Sequence, residues 1–229
     1  MTKKEANHEK NALLNSVYSN NLSYAKTKSE KELLLRTIEA MVKVDRKDFV
    51  LNKSKSGAYI DMPLSIGYSQ TISQPTTVAR MLIFAELKKG LNALEIGSGS
   101  GWNAALLAYL VKPGKVISVE RIKPLSDFAK KNFKDFKKKS ELKLNASFTH
   151  GSALDRKSKI WKSYYDRIIV TAAASKELAK DLMGVAKLND NGIIILPTED
   201  GRIEVWRNKK GRLEKVYEDY GYAFVPLLK

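Results

Sequence analysis

The residues Leu94-Glu95-Ile96-Gly97-Ser98-Gly99-Ser100-Gly101-Trp102 place three glycines directly after a short apolar run. This reads as a strand, a glycine turn and the start of a helix. Glycine permits positive φ and lets a ligand approach the backbone closely. A plain strand-to-helix connection would need one glycine, not three. A dinucleotide cradle wants G-x-G-x-x-G; here the third glycine comes one position early and Trp102 stands where that fingerprint has glycine. The glycine-lysine pair of a phosphate loop is absent too. About twenty positions later Glu120 closes the next apolar run, in Val119-Glu120-Arg121, where an acidic residue is placed to grip ribose hydroxyls. One carboxylate accepts from two vicinal hydroxyls at once. A glycine turn without pyrophosphate geometry, joined to a ribose carboxylate, fits an adenosine ligand that carries no phosphates. S-adenosylmethionine is the common one.

Other chemistry is thinly represented. There is no cysteine, so disulfides and thiolate catalysis are excluded. The two histidines, His8 and His150, lie far apart in sequence, and no metal site is expected. His150 reads as the decoration of a strand end.

The elements that must hold these residues alternate along the chain. Strands are expected at 92–96, 115–119, 143–149, 165–171 and 193–196. Helices are expected at 102–110, 124–139 and 176–188. That alternation implies βαβ units and a mostly parallel sheet. Runs 203–206 and 213–217, joined by Asn208-Lys209-Lys210-Gly211, read as a terminal hairpin. Upstream, Leu33, Leu34, Ile38, Met41 and Val42 have helical spacing between Glu30 and Val44. Residues 1–30 are polar and are expected to fray at the start. Residues 53–57 read as a loop and 59–75 as a long shaped loop, a length that usually signals function. A further helix is expected at 76–88.

The chain has 229 residues, 43% of them hydrophobic, room for one substantial core. The charged start, Met1-Thr2-Lys3-Lys4-Glu5, has no apolar run behind it and is not read as a secretory signal. No stretch approaches the roughly 20 apolar residues of a membrane span, and a cytoplasmic protein is expected. The net charge of +16 invites a nucleic-acid reading. Against it, the lysines are scattered, and the cluster in 124–139 lies opposite an apolar stripe of Leu125, Phe128, Ala129 and Phe136, the pattern of a solvated helix face.

Longer stretches carry a family resemblance. Residues Ala58-Tyr59-Ile60-Asp61-Met62-Pro63-Leu64-Ser65-Ile66-Gly67-Tyr68-Ser69-Gln70-Thr71-Ile72-Ser73-Gln74-Pro75 closely resemble the signature loop of protein-L-isoaspartate O-methyltransferases. The glycine turn, Val119-Glu120-Arg121, Tyr165 through Ala174 and Phe224-Val225-Pro226-Leu227 follow in the family's order, as does Ala40 through Val50 upstream. The match runs over about residues 30–229. The signature loop is its most specific part, because many methyltransferases share the glycine turn.

The resemblance implies an α/β fold, a doubly wound, mostly parallel sheet of the Rossmann-like class I S-adenosylmethionine-dependent methyltransferases. An N-terminal helical and loop extension (1–79) would precede the cofactor-binding core (80–229), which would end in an antiparallel hairpin. It implies methyl transfer from S-adenosylmethionine to the free α-carboxylate of isoaspartyl residues in damaged proteins and peptides, by a cytoplasmic monomer with no nucleic-acid or membrane partner. Ser73 would orient the carboxylate beside the methyl group. The cofactor would lie against Gln70, Thr71, Ile72 and Ser73, against Glu95, Gly97, Ser98, Gly99, Ser100 and Gly101, and against Glu120, Arg121, Gly151, Ser152, Ala153 and Thr171. The substrate would meet Ile66, Thr71, Ile72, Ser73 and Val225. Ser73 is equally suited to cap the helix that follows.

Four places depart from the family pattern. Gly151-Ser152-Ala153 stands where Gly-Asp-Gly is usual, with the aspartate accepting from adenine. Gly67-Tyr68-Ser69-Gln70 replaces Gly-x-Gly-Gln, Pro197-Thr198-Glu199 replaces Pro-Val-Gly, and Ala223 stands where many members have arginine. Two other readings stay open: a diverged methyltransferase of this fold acting on RNA or another acceptor, suggested by the charge, and a non-catalytic protein that kept the fold.

Overall fold

The structure, a computed structural model, describes residues 3–229. It opens with helix α1 (Lys3–Leu22), where the sequence reading expected fraying. The helix is polar almost all round. Its buried residues form only a narrow stripe of Leu13, Leu14 and Val17 with the fully buried Asn21, and Lys10 adds a polar tie to Asp45 at 2.9 Å. Helix α2 (Lys28–Lys43) starts at a capping box: the Thr27 hydroxyl accepts from the Glu30 N–H, and the Glu30 carboxylate accepts from the Thr27 N–H.

The stretch expected as loop holds a small hairpin, β1 (Leu64–Gly67) and β2 (Gln70–Ile72). Its turn residues Tyr68 and Ser69 both take positive φ, +55° and +56°, which a two-residue hairpin turn matched to strand twist requires. Helix α3 (Pro75–Phe84) begins with proline in its first turn and ends four residues before the expected Lys88.

The core then alternates as expected: β3 (Ala93–Ile96), α4 (Trp102–Val111), β4 (Val116–Glu120), α5 (Lys123–Ser140), β5 (Ala146–His150), β6 (Tyr165–Val170), α6 (Lys176–Val185), β7 (Leu188–Pro197), β8 (Arg202–Lys209) and β9 (Arg212–Tyr220). Strand β7 starts five residues earlier than expected and displaces the end of α6. The terminal hairpin turns on Lys210-Gly211, at φ +53° and +88°.

Seven strands form one sheet in the order β5-β4-β3-β6-β7-β8-β9. Strands β5 through β7 are parallel, and β8 and β9 add the antiparallel edge. The parallel strands are covered on both faces, so their alternate residues feed two cores. Ala93, Ile169, Ile193 and Ile195 pack toward α1–α5. Leu94, Ile96, Ile168, Val170, Ile194 and Leu196 pack toward α6. The lysines of α5 are exposed, while Leu125, Ala129, Phe133 and Phe136 are buried. No helix among the described residues is long and apolar enough to cross a membrane.

The chain order reverses between β3 and β6, which lie side by side while β4 goes one way and β7 the other. A crevice opens there at the carboxyl ends of the strands, the usual ligand site of such sheets.

Candidate active site

A cavity fills that crevice. Its floor is the glycine turn after β3. Gly97 sits at φ +99°, and a Cβ there would fall 2.2 Å from the Thr171 hydroxyl oxygen. Only glycine lets the ends of β3 and β6 come this close. Ser98, Gly99 and Ser100 continue the lining. Gly101 does not line it: it caps α4 at φ +85°, and a Cβ would meet the Ala129 carbonyl of α5 at 2.9 Å. The third glycine therefore serves helix packing.

Glu120 ends β4 beside this turn and is 7% exposed. Its Oε2 accepts from the Gly99 N–H at 3.0 Å and its Oε1 from the Ile122 N–H at 2.9 Å. Each oxygen keeps a second lone pair, so the carboxylate is a fixed fork suited to a vicinal diol. Arg121, Gly151, Ser152 and Ala153 line the far side, together with Ile122, Leu125 and Leu154, apolar groups to which the sequence assigns no part in the site. The Ser152 hydroxyl accepts from the Leu154 N–H at 3.2 Å. Its remaining capacity is weaker than a carboxylate's. Ser152→Asp keeps the turn acceptor and adds a charged oxygen, so it is expected to tighten S-adenosylhomocysteine binding by up to about tenfold. Calorimetry of the two proteins checks this; unchanged affinity would mean adenine is held without residue 152.

Glu95 also lines the cavity, wholly buried. Asn103 donates to its Oε1 at 2.8 Å, and Ser118 bonds Oε2 and in turn contacts the Ser98 hydroxyl at 2.5 Å. Burial pushes its carboxyl up to about 8, Glu120 adds to the rise, and the bonds from Ser118 and Asn103 oppose it. The folded protein thus holds this proton where the unfolded chain, ordinary near 4.5, has released it. The stability contribution is full below pH 4.5 and is lost as pH rises toward 8. Glu95→Gln copies the protonated form and removes this loss. Urea melts should show the variant gaining on the parent between about pH 5 and 8.5, by an amount on the order of a few kcal/mol. An offset that ignores pH would refute a protonated Glu95.

The near wall is the signature loop. Thr71, on β2, and Ser73, just after it, both line the cavity. Ile72 between them turns inward and is 4% exposed. Gln70 through Ser73 all line the cavity. Ile66 does not; it is buried on β1, its Cδ1 against Gly99. Ser73 does not cap α3. Asp61 does, accepting from the Thr76 N–H at 2.9 Å and the Thr76 hydroxyl at 2.5 Å. Arg46, 2% exposed, gathers the loop by donating to the carbonyls of Ala58, Ile60, Met62 and Ser73 at 2.8–3.1 Å. The loop is therefore held from within, and Ser73, which makes no cap, lines the cavity.

A second cavity is lined by Pro63, Gln74, Thr77 and the strap Gly221–Val225. The two cavities share a wall of Thr71, Ser73, Thr171 and Val225. Thr171 has committed its hydroxyl to the Gly97 carbonyl at 2.7 Å. Val225 is fixed by its carbonyl, which accepts from the Ala173 N–H at 2.8 Å. Among the residues given roles from the sequence, only Gly101 and Ile66 lie outside both cavities. His150 lies outside them as well, at the end of β5, where its Nε2–H donates to the Arg121 carbonyl at 3.1 Å.

Comparison with known proteins gives concordant findings. The family model described as Protein-L-isoaspartate(D-aspartate) O-methyltransferase matches residues 20–229. A protein-L-isoaspartate O-methyltransferase of Methanosarcina mazei is 37% identical over 94% of this chain and 93% of its own length. One of Pyrococcus abyssi is 42% identical over 87% and 90%. Among solved structures, a Plasmodium falciparum protein described as a protein-L-isoaspartate O-methyltransferase in complex with S-adenosyl-L-homocysteine superposes with a TM-score of 0.71, at 27% identity over 93% of this chain and 97% of that one.

Proposed function

Because the chain belongs to the protein-L-isoaspartate(D-aspartate) O-methyltransferase family, we propose that its two cavities divide the reaction, methyl donor in the first and damaged peptide in the second. The enzyme transfers the methyl group of S-adenosylmethionine to the free α-carboxylate of isoaspartyl residues. The following amide nitrogen then attacks the ester carbonyl, methanol leaves, and hydrolysis of the succinimide formed restores some normal aspartate.

The observation that carries the proposal is the shared wall of Thr71, Ser73, Thr171 and Val225. Methyl transfer needs donor and acceptor in line across a narrow gap, and two cavities meeting at a few small side chains supply one. The first cavity fits the donor: Glu120 would hold the ribose hydroxyls, the glycine turn would take the amino-acid end, and Ile122, Leu125 and Leu154 would offer an apolar surface to the adenine. When bound, S-adenosylmethionine supplies a methyl group already activated on a sulfonium.

The chain's own residues then have little acid-base work to do, because the carboxylate is ionised near pH 7. Ser73 donates its hydroxyl proton to one carboxylate oxygen and aims the other at the gap. Thr71 lines the same two cavities. Val225 and the strap hold the peptide main chain, and the loop walls exclude water, which would otherwise solvate the nucleophile.

A working monomer in the cytoplasm is part of this reading. The charge of +16 does not gather at the site. Arg121 is the one cation that lines either cavity among the described residues, so RNA is expected to bind weakly and to release at physiological salt. The deciding experiment offers the enzyme an isoaspartyl peptide, its aspartyl twin and bulk RNA with labelled donor. Label only in the first is expected; labelled RNA would replace the protein substrate with a nucleic acid.

A further inference from the structure

The peptide cavity owes one wall to the strap after β9, and that strap is thinly anchored. At its start the Gly221 and Tyr222 N–H groups donate to the Gly201 carbonyl, each at 3.1 Å. At its end Val225 and Leu227 bond to Ala173 at 2.8 and 2.7 Å. Between these points Ala223 and Phe224 make no backbone–backbone hydrogen bond. The side chain that spans the gap is Tyr222, which lines the cavity beside Phe224, their rings 6.3 Å apart.

The Tyr222 hydroxyl reaches back to Asp219 and accepts from Arg80 Nη1 at 3.1 Å. Arg80, on α3, has a side chain only 12% exposed. Its Nε donates to Asn21 Oδ1 at 3.0 Å and its Nη2 to the Asn20 carbonyl at 2.6 Å, both in the last turn of α1. The guanidinium lies 3.6 Å from the Tyr24 ring centroid, and Asp219 at 3.9 Å balances its charge. Asn21 is fully buried and donates to the Thr76 carbonyl at 3.3 Å, in the first turn of α3. One guanidinium thus joins the N-terminal helix, α3 and the strap. Residues 3–19, most of α1, lie outside the stretch matched by the family model.

We propose that Arg80 is a positioning residue for the peptide substrate: it ties the last turn of α1 to Tyr222 and holds the strap at the spacing the peptide needs. The proposal rests on reading the second cavity as the peptide site. It gives α1 a function, that of an anchor for one wall of that cavity. Arginine suits the role because its planar fork sets five donors in fixed directions, where lysine offers a single ammonium at the end of a flexible stem.

The test compares Arg80→Met, Arg80→Lys, Tyr222→Phe and the Arg80→Met/Tyr222→Phe double variant. The readouts are KM for an isoaspartyl peptide, the calorimetric Kd for S-adenosylhomocysteine and the melting temperature. An untethered strap must be ordered by the peptide itself, and fixing about two residues costs tenfold or more in affinity. Arg80→Met is expected to raise KM at least tenfold while the S-adenosylhomocysteine Kd stays within twofold. Tyr222→Phe, which removes a single hydroxyl and keeps the ring, should raise KM severalfold. Arg80→Lys should fall between parent and Arg80→Met, and the double variant should be no worse than Arg80→Met. Unchanged KM in Arg80→Met and Tyr222→Phe would overturn the role of Arg80. So would a Kd for S-adenosylhomocysteine that rises in step with KM and falling melting temperature, because general loosening would then explain the effect. A parent inactive on isoaspartyl peptides would overturn the peptide reading of the cavity, and this proposal with it.

Discussion

Glu120→Ala is expected to weaken S-adenosylhomocysteine binding by about a hundredfold or more. The carboxylate is held by the Gly99 and Ile122 N–H groups, so its two free lone pairs point in fixed directions before any ligand arrives. Two hydroxyl donors to a charged acceptor contribute about 1.5–3 kcal/mol each. The alanine loses both, and it leaves two backbone N–H groups at the cavity edge without their partner. Glu120→Gln should fall between, since the amide keeps one acceptor oxygen but sets an NH₂ group against one of those N–H donors. Calorimetry on the three proteins reads the effect, with circular dichroism to confirm folding. If the folded Glu120→Ala protein binds within threefold of the parent, the ribose is held elsewhere.

The second large effect concerns substrate choice. The enzyme is expected to methylate isoaspartyl peptides at least a hundredfold faster than the matching aspartyl peptides. An isoaspartyl residue carries its carboxylate one methylene nearer the main chain than aspartate does. On the proposed reading the strap and Val225 hold the main chain while Thr71 and Ser73 mark the gap, so only one of the two carboxylates would arrive in line. A misplacement of about 1 Å can cost a hundredfold in rate. Ser73→Ala should therefore lower kcat by about one to two orders of magnitude and leave S-adenosylhomocysteine affinity nearly unchanged, because the hydroxyl positions the acceptor rather than the donor. Asp61 caps α3, so the variant also should not lose the helix start. Equal rates on the two peptides would refute the isoaspartyl pocket. Full activity in Ser73→Ala would remove the role of that hydroxyl while leaving the methyltransferase in place.

Glu95→Gln separates ligand binding from stability. Its carboxyl belongs to a buried chain of Asn103, Ser118 and Ser98, so its effect is read in pH-dependent unfolding. Glu120, one strand away and turned toward backbone donors, is read in ligand affinity instead. Two glutamates of one cavity differ because one is enclosed by side chains and the other is held by backbone N–H groups at the cavity edge.

The amino-acid order by itself determined the alternating strands and helices, the glycine turn, the carboxylate after it and the hairpin at Lys210-Gly211. Each of these is a local signal: apolar periodicity over a few residues, or a turn that demands positive φ. The signature loop was legible as a resemblance, although its inner hairpin was not, since Tyr68 and Ser69 hold positive φ without glycine. Helix α1 was missed because its buried stripe is only a few side chains wide, and a polar segment with so little to bury is held by its neighbours rather than by its own pattern. The third glycine was read as a ligand contact, and only the packing of α4 on α5 showed that Ala129 needs the space. The sequence offers Ser73 as a cap for α3, and the fold gives that job to Asp61, fifteen residues before Thr76. The shared wall brings Thr71 and Ser73 to Thr171 and Val225, and the strap brings Arg80 to Tyr222. Contacts between such distant parts of the chain leave no periodic or local trace; they exist only once the order of strands in the sheet decides which loops become neighbours.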